Sequence, residues 1–101
     1  MTIRNLSLIE GLPGEDLIRK GLTDLAESRH TVESCLVRIA GNRLSRALIL
    51  DTPTASPENA ELDLYQLFAP LGNEAHSKYN AIIRRLISFE QALDHRITRA
   101  A

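Results

Sequence analysis

The side chains best suited to chemistry are the basic ones near the carboxyl end of the sequence. Five Lys or Arg residues follow residue 77, whereas residues 51–77 contain five carboxylates and neither Lys nor Arg. Arginine predominates among the basic residues after residue 77, and its planar guanidinium can pair with a carboxylate or phosphate through two parallel hydrogen bonds. At 100° per residue they share one face of a helix predicted over 73–98. This basic face comprises Lys78, Arg84, Arg85, His95, Arg96 and Arg99.

The basic face could bind nucleic-acid phosphates, an anionic surface or an acidic protein. The formal net charge of −1 disfavours nucleic acid. So does the placement of Tyr79 and Phe89, which fall on the apolar side of the helix and cannot stack bases between the arginines. We therefore favour a solvated face that the acidic residues 51–77 partly neutralise. A nucleic-acid accessory protein, with Lys78 and the four arginines contacting phosphates, is the alternative.

The apolar side of the same helix offers a second kind of surface. A helix of about 25 residues is ~37 Å long, which exceeds the roughly 30 Å width of a compact domain of this size. Its last turns then lack cover, leaving Ile87 and Ile97 exposed, unless residues 1–12 fold back over them. Uncovered apolar surface of this kind marks a partner site or a homodimer interface.

A catalytic or ligand-binding pocket is the third possibility, built from Glu74, His76 and Tyr79. No nucleophile–base spacing joins these residues, and no His stands three to five residues from another His or Cys. Cys35 lies on an apolar arc and is predicted to be a core residue. Phosphate-binding glycine loops and metalloprotease motifs are absent from the sequence. We expect no catalysis, no cofactor and no metal, with the pocket near His76 and Tyr79 as an alternative.

Length and composition limit the architecture. With 101 residues, 44% hydrophobic and 25% charged, the sequence suits one domain with one modest core. A single cysteine excludes an intrachain disulfide. The longest apolar run, residues 47–50, is far below the ~20 residues of a membrane span, and the amino terminus lacks a signal-peptide core. We expect a cytoplasmic protein with no membrane partner.

The elements that must position these residues are helices, because Leu, Ala and Ile are abundant and Val is rare. Pro13 and Gly14 followed by Glu15 and Asp16 are typical of a helix start. Gly21, inside the apolar arc of that helix, predicts close approach of a neighbour. The predicted helices are 15–29, 31–50 with a break at Gly41–Asn42, a shorter one near 59–69, and 73–98.

Residues 1–101 are thus predicted to form a single all-α domain, a small helical bundle with an arm at 1–12 and a surface linker at 51–59. Short connections make the first two helices antiparallel neighbours, and the last helix packs across both. We expect a protein–protein interaction module that forms a homodimer or binds a protein partner through the long helix. The expected interface residues are Ile83, Arg84, Arg85, Ile87, Arg96, Ile97 and Arg99.

Overall fold

The computed structural model describes residues 3–50 and 57–100, and their regular structure is helical. The elements are α1 (Glu15–Ala26), α2 (Val32–Ile39), α3 (Gly41–Arg46), α4 (Pro57–Phe68) and α5 (Ala75–Ala100), with 3₁₀ turns at Leu6–Ile9 and Ala69–Glu74. The prediction of an all-α bundle that ends in a long helix is confirmed. Most of the predicted linker at 51–59 lies outside the described residues, and its last three residues belong to α4.

The most extensive helix–helix contact joins α1 and α2. A Cβ atom added at Gly21 would overlap the Glu33 carbonyl oxygen and lie only 2.6 Å from Val37 Cγ2. Because any side chain at this position would push the helices apart, glycine sets their separation. The close approach predicted at Gly21 is confirmed.

α1 ends three residues before its predicted boundary because the chain enters a left-handed turn. Ser28 has φ 60°. Its N–H donates to the Leu25 carbonyl at 3.1 Å, and the Arg29 N–H donates to the Asp24 carbonyl at 2.7 Å. This is the hydrogen-bond pattern of a Schellman motif, which ends the helix at Ala26.

The buried carboxylate of Asp24 ties the end of α1 to the start of α2. It accepts hydrogen bonds from Lys20 Nζ and from the Thr31 hydroxyl, both at 2.7 Å. The bonds from Lys20 and Thr31 lower the pKa of Asp24, because they favour its charged form. The Thr31 oxygen also accepts the Ser34 N–H at 3.1 Å, while Ser34 Oγ accepts the Thr31 N–H at 2.9 Å. Serine thus closes the capping box in the place where Glu or Gln is usual.

The break expected at Gly41–Asn42 lies one residue earlier, at Ala40. Ala40 has φ −81° and ψ 3°, and Gly41 is already the first residue of α3. Across this bend the Arg43 guanidinium reaches α5, where it lies 3.0 Å from the Glu90 carboxylate and 3.2 Å from that of Asp94. The change of direction keeps Arg43 out of the apolar core that a straight helix would have forced it to enter.

α3 stops before residue 50 because Leu48 adopts a left-handed conformation. Leu48 has φ 61° and its side chain is 65% exposed. The Ile49 N–H donates to the Leu44 carbonyl at 2.9 Å, which again gives the hydrogen-bond pattern of a Schellman motif. The chain then extends, so that Leu50 forms an antiparallel bridge with Ile3.

The arm folds back over the carboxyl-terminal half of α5. Arg96 Nη1 donates to the carbonyls of Leu8 and Glu10 at 2.9 and 2.6 Å. Ile9 is fully buried, and Ile97 is half-buried against the core. Of the two isoleucines expected to be exposed, Ile97 is therefore covered by its own chain and Ile87 is not.

The core lies where α1, α2 and α5 meet. Leu17 of α1, Leu36 of α2 and Phe89 of α5 line one small internal space. α4 contributes the fully buried Leu64 from the other side of α2. The molecule is 44 Å long and 21–24 Å across. Its long dimension follows from α5, which spans ~39 Å at 1.5 Å per residue.

Replacing Gly21 with alanine tests the close approach. We expect Gly21→Ala to lower the free energy of unfolding by about 1–3 kcal/mol. The free-energy cost of the steric overlap with Glu33 should exceed the ~1 kcal/mol that alanine contributes through helix propensity. Urea unfolding measures this loss. Thr23→Ala, on the exposed side of α1, is the control and should change stability by less than ~0.5 kcal/mol. A Gly21→Ala protein as stable as the parent would contradict the packing described.

The left-handed leucine leads to a second prediction. We expect Leu48→Gly to raise the free energy of unfolding by about 0.5–1 kcal/mol, because relief of a left-handed penalty of ~1–2 kcal/mol outweighs the entropic cost of glycine. Leu71→Gly replaces another exposed leucine, one without positive φ, and should be destabilising. The two variants should therefore shift the urea midpoint in opposite directions, and a shift in the same direction would refute the strain at Leu48.

Candidate interaction surface

Some residues of the basic face form hydrogen bonds or ion pairs with other parts of the chain. Arg96 is held by the arm carbonyls of Leu8 and Glu10. Arg85 Nη2 lies 3.6 Å from the Asp16 carboxylate of α1. Arg96 therefore holds the arm on α5 through part of its donor set, whereas the Arg85–Asp16 pair is exposed and contributes little to stability.

Three other cations of the basic face are exposed and form no ion pair within the described part of the chain: Lys78, Arg84 and Arg99. One of the acidic residues expected to neutralise the basic face is engaged elsewhere. Asp63 of α4 pairs with Arg38 of α2 at 2.8 Å. The acidic α4 therefore packs on α2 through an ion pair of its own.

An apolar strip runs across the surface of α4 and α5, and we define it as Leu62, Tyr65, Tyr79, Ile83 and Ile87. The Tyr65 and Tyr79 rings meet edge to face with their centroids 5.2 Å apart. Leu62 precedes Tyr65 by three residues, and Ile83 and Ile87 follow Tyr79 at intervals of four. Because residues at these spacings are neighbours on a helix surface, the strip is continuous.

The exposed area of the strip is concentrated in three side chains. Leu62 is 57% exposed, Tyr65 40% and Ile87 45%. Tyr79 and Ile83 are half-buried and also pack against the core, so they connect the exposed residues to rigid structure. Such a surface is pre-organised for contact, since its central side chains are already ordered.

Charges of opposite sign border the strip. Burial raises the pKa of the Tyr79 hydroxyl, and the Glu61 carboxylate adds to that rise, which places a negative charge on the α4 side. Arg84 precedes Ile87 by three residues on α5 and is exposed. The strip thus has an acidic edge on α4 and a basic edge on α5.

The predicted interface residues separate into two groups. Ile83, Arg84 and Ile87 lie together on or beside the strip. Arg96 belongs to the contact with the arm, Ile97 is half-buried against the core beside Arg43 and Arg46, and Arg99 lies one turn beyond Arg96. Arg85 lies on the side of α5 that faces α1.

Sequence reasoning missed the contribution of α4 to this surface. With Leu64, Leu67 and Phe68 placed on the buried side by their spacing, Leu62 and Tyr65 fall outside that side. Two large apolar side chains left over on a short helix were the signal that could have identified them.

The alternative pocket residues lie at the start of α5. Glu74 and His76 are exposed, and His76 Nε2 is 3.1 Å from Asn80 Nδ2. Tyr79 packs on Tyr65, and no hydrogen bond joins Glu74, His76 and Tyr79 within the described segments.

Other chemistry-bearing groups are either buried or dispersed. Cys35 is fully buried, and burial raises the pKa of its thiol although Arg38 opposes the rise. A buried thiol of this kind is a packing residue rather than a nucleophile. In residues 3–50 and 57–100, no group of three or more His, Cys, Asp or Glu side chains is arranged to hold a metal ion.

Glu90 is the buried carboxylate of α5, three residues beyond Ile87. Burial raises its pKa, while the Arg43 guanidinium 3.0 Å away lowers it and the Asp94 charge raises it again. The net shift is upward, so Arg43 compensates only part of the desolvation.

No family model, curated protein or solved structure matches this chain. Within its described segments, no helix has both the length and the apolar character needed to cross a membrane. Function is therefore inferred from the geometry and charge of the surface alone.

The raised pKa of Glu90 makes stability depend on pH. The folded pKa lies above the unfolded value of 4.5, so ionisation of Glu90 removes stability as the pH rises from the unfolded pKa through the folded one. Glu90→Gln cannot ionise. We expect the thermal midpoint of Glu90→Gln to rise relative to that of the parent between pH 4 and pH 8, measured by circular dichroism. A difference that is constant or falls with pH would be inconsistent with an under-compensated carboxylate.

Proposed function

We propose that this protein is a non-catalytic interaction module that self-associates through the apolar strip. The observation that carries the proposal is the continuity of the strip, in which the Tyr65–Tyr79 contact joins the exposed residues of two helices. Scattered apolar residues are normal on protein surfaces, but a contiguous patch anchored on ordered aromatic residues is typical of an interface.

The charges at its edges favour a second copy of the same chain as the partner. A two-fold interface brings residue i onto residue j and residue j onto residue i. When two strips face each other in this way, Glu61 of one copy can approach Arg84 of the other, and the reverse contact forms at the same time. One surface with both charges is therefore complementary to itself, and exposed charges of this kind steer association.

Tyr65 and Ile87 are the expected anchors of the interface. Both are substantially exposed, and each lies next to a half-buried residue of the strip. Aromatic and large aliphatic side chains that become fully buried supply most of the binding energy at interfaces, whereas rim charges supply specificity. Arg96 and Ile97 lie outside this proposal, because Arg96 is bonded to the arm and Ile97 is half-buried against the core.

A nucleic-acid accessory role is the second candidate, favoured by the three cations without an ion pair in the described chain: Lys78, Arg84 and Arg99. They are spread over 21 residues, or ~31 Å of helix, with no aromatic side chain between them on that face. Duplex or single-stranded binding that weakens steeply with salt would support this candidate instead.

Solution mass over a dilution series tests self-association. We expect the parent to show a concentration-dependent dimer by sedimentation or light scattering, and Ile87→Glu to weaken it at least tenfold, because a charge replaces a buried anchor. Leu71→Glu makes the same change at an exposed leucine outside the strip and should leave the dimer intact. A parent that is monomeric at every concentration would overturn the proposal, as would equal effects of the two variants.

The charges at the edges of the strip allow a second test of self-association. Glu61→Arg and Arg84→Glu should each weaken the dimer, because each places like charges opposite one another. The double variant exchanges the two signs and should recover most of the lost affinity. Failure of the double variant to recover would show that Glu61 and Arg84 do not face each other across the interface.

A further inference from the structure

A concavity on another side of α5 combines positive charge with an apolar floor. Its volume is about 360 Å³, within the range of small-molecule sites. The lining residues are Leu12, Ala92, His95, Arg96 and Arg99. The site lies between the arm and the last turns of the helix, and it shares no residue with the apolar strip.

Arg96 is fixed in the wall of this concavity by the backbone of the arm. Its Nη1 donates to the carbonyls of Leu8 and Glu10. Its Nη2 and Nε have no acceptor among the described residues. The guanidinium is therefore held in one orientation while part of its donor set stays available, so a ligand would not have to order this side chain on binding.

The positive charge around Arg96 is only partly neutralised within the described chain. His95 and Arg99 are exposed on the same side of α5 and form no ion pair there. The nearby Glu15 carboxylate bonds to the Gly11 N–H and to Arg19, which lower its pKa most, and the charge of Arg96 adds a smaller lowering. Arg99 pairs with no carboxylate in the described segments, so its guanidinium is available to an external anion.

The apolar floor narrows the class of ligand. Leu12 and Ala92 contribute hydrocarbon surface between the basic groups. Guanidinium groups pair with carboxylates and phosphates, and burial of an attached apolar group adds affinity in proportion to its area. We infer that the concavity binds a small organic anion, in which a carboxylate or phosphate group is attached to an apolar body.

The site is independent of the proposed self-association. At 100° per residue the directions of Arg96, Arg99 and Ala92 differ from those of Ile83 and Ile87 by about 120–180° around the helix axis. A dimer formed through the strip would therefore leave the concavity open. Self-association and anion binding can thus be tested independently of each other.

Titration with three probes tests the inference. We expect benzoate and phenyl phosphate to bind in the same site, observed as NMR shifts of the amides of residues 12, 92, 95, 96 and 99. Inorganic phosphate, which lacks an apolar body, should bind at least tenfold more weakly. The tighter of the two organic probes identifies the preferred head group. Inorganic phosphate binding as tightly as phenyl phosphate would overturn the inference, since the site would then hold an adventitious ion only.

Substitutions locate the binding. Arg99→Ala should weaken the organic anions by about tenfold or more, because a hydrogen bond to a charged group contributes ~1.5–3 kcal/mol. Ala92→Asp should abolish binding by placing a carboxylate in the floor. Lys78→Ala, which removes an exposed cation of the same helix outside the concavity and the apolar strip, should leave affinity unchanged, and circular dichroism checks that all variants remain folded. Equal losses in Arg99→Ala and Lys78→Ala, or no shift with any probe, would refute the site.

Discussion

The contact of Gly21 with the Glu33 carbonyl determines how closely α1 and α2 approach, and the remaining elements pack on that pair. Because the helices nearly touch at this point, Val37 is buried directly against Gly21, and Leu36 is buried in the space that α1 and α5 share with α2. The Asp24 carboxylate fixes the same pair at the turn by bonding residues of both helices. α4 and α5 therefore pack against an α1–α2 pair already fixed at two points.

A helix as long as α5 cannot be covered by a core of this size, and the structure covers it unevenly. Its carboxyl-terminal half is covered by the arm, through the bonds of Arg96 to arm carbonyls. Its amino-terminal half is flanked by α4, whose own apolar residues are not all buried. The result is an apolar strip at one end and a basic concavity at the other, both produced by the same mismatch between helix length and core width.

The helices could be predicted from the sequence because their signals are local. Pro13–Gly14 before Glu15, the apolar arc around Gly21 and the uninterrupted stretch after residue 74 each concern neighbours along one helix. The left-handed residues Ser28 and Leu48 were missed because glycine is the usual residue at such helix ends, and neither position carries one.

Long-range contacts were beyond sequence reasoning for a different reason. Arg96 bonds to Leu8, 88 residues away, and no local pattern reports such a pairing. At 100° per residue Asp24 falls among the polar residues of α1, so the helical pattern predicts an exposed side chain. Its burial depends on Thr31, whose hydroxyl is brought to the carboxylate only when the turn has formed.

The two buried carboxylates, Asp24 and Glu90, differ in how well their surroundings stabilise the charged form. Asp24 has a lowered pKa because Lys20 and Thr31 more than offset its desolvation, whereas Glu90 has a raised pKa although Arg43 is beside it. The charged form is thus favoured at the α1–α2 turn and disfavoured at the contact of α3 with α5. Since Glu90 lies one turn beyond Ile87, the strip is bordered by the less well compensated of these two buried contacts. A partner that covered Ile87 would also reduce the access of water to Glu90, so association and the protonation of this carboxylate are thermodynamically linked.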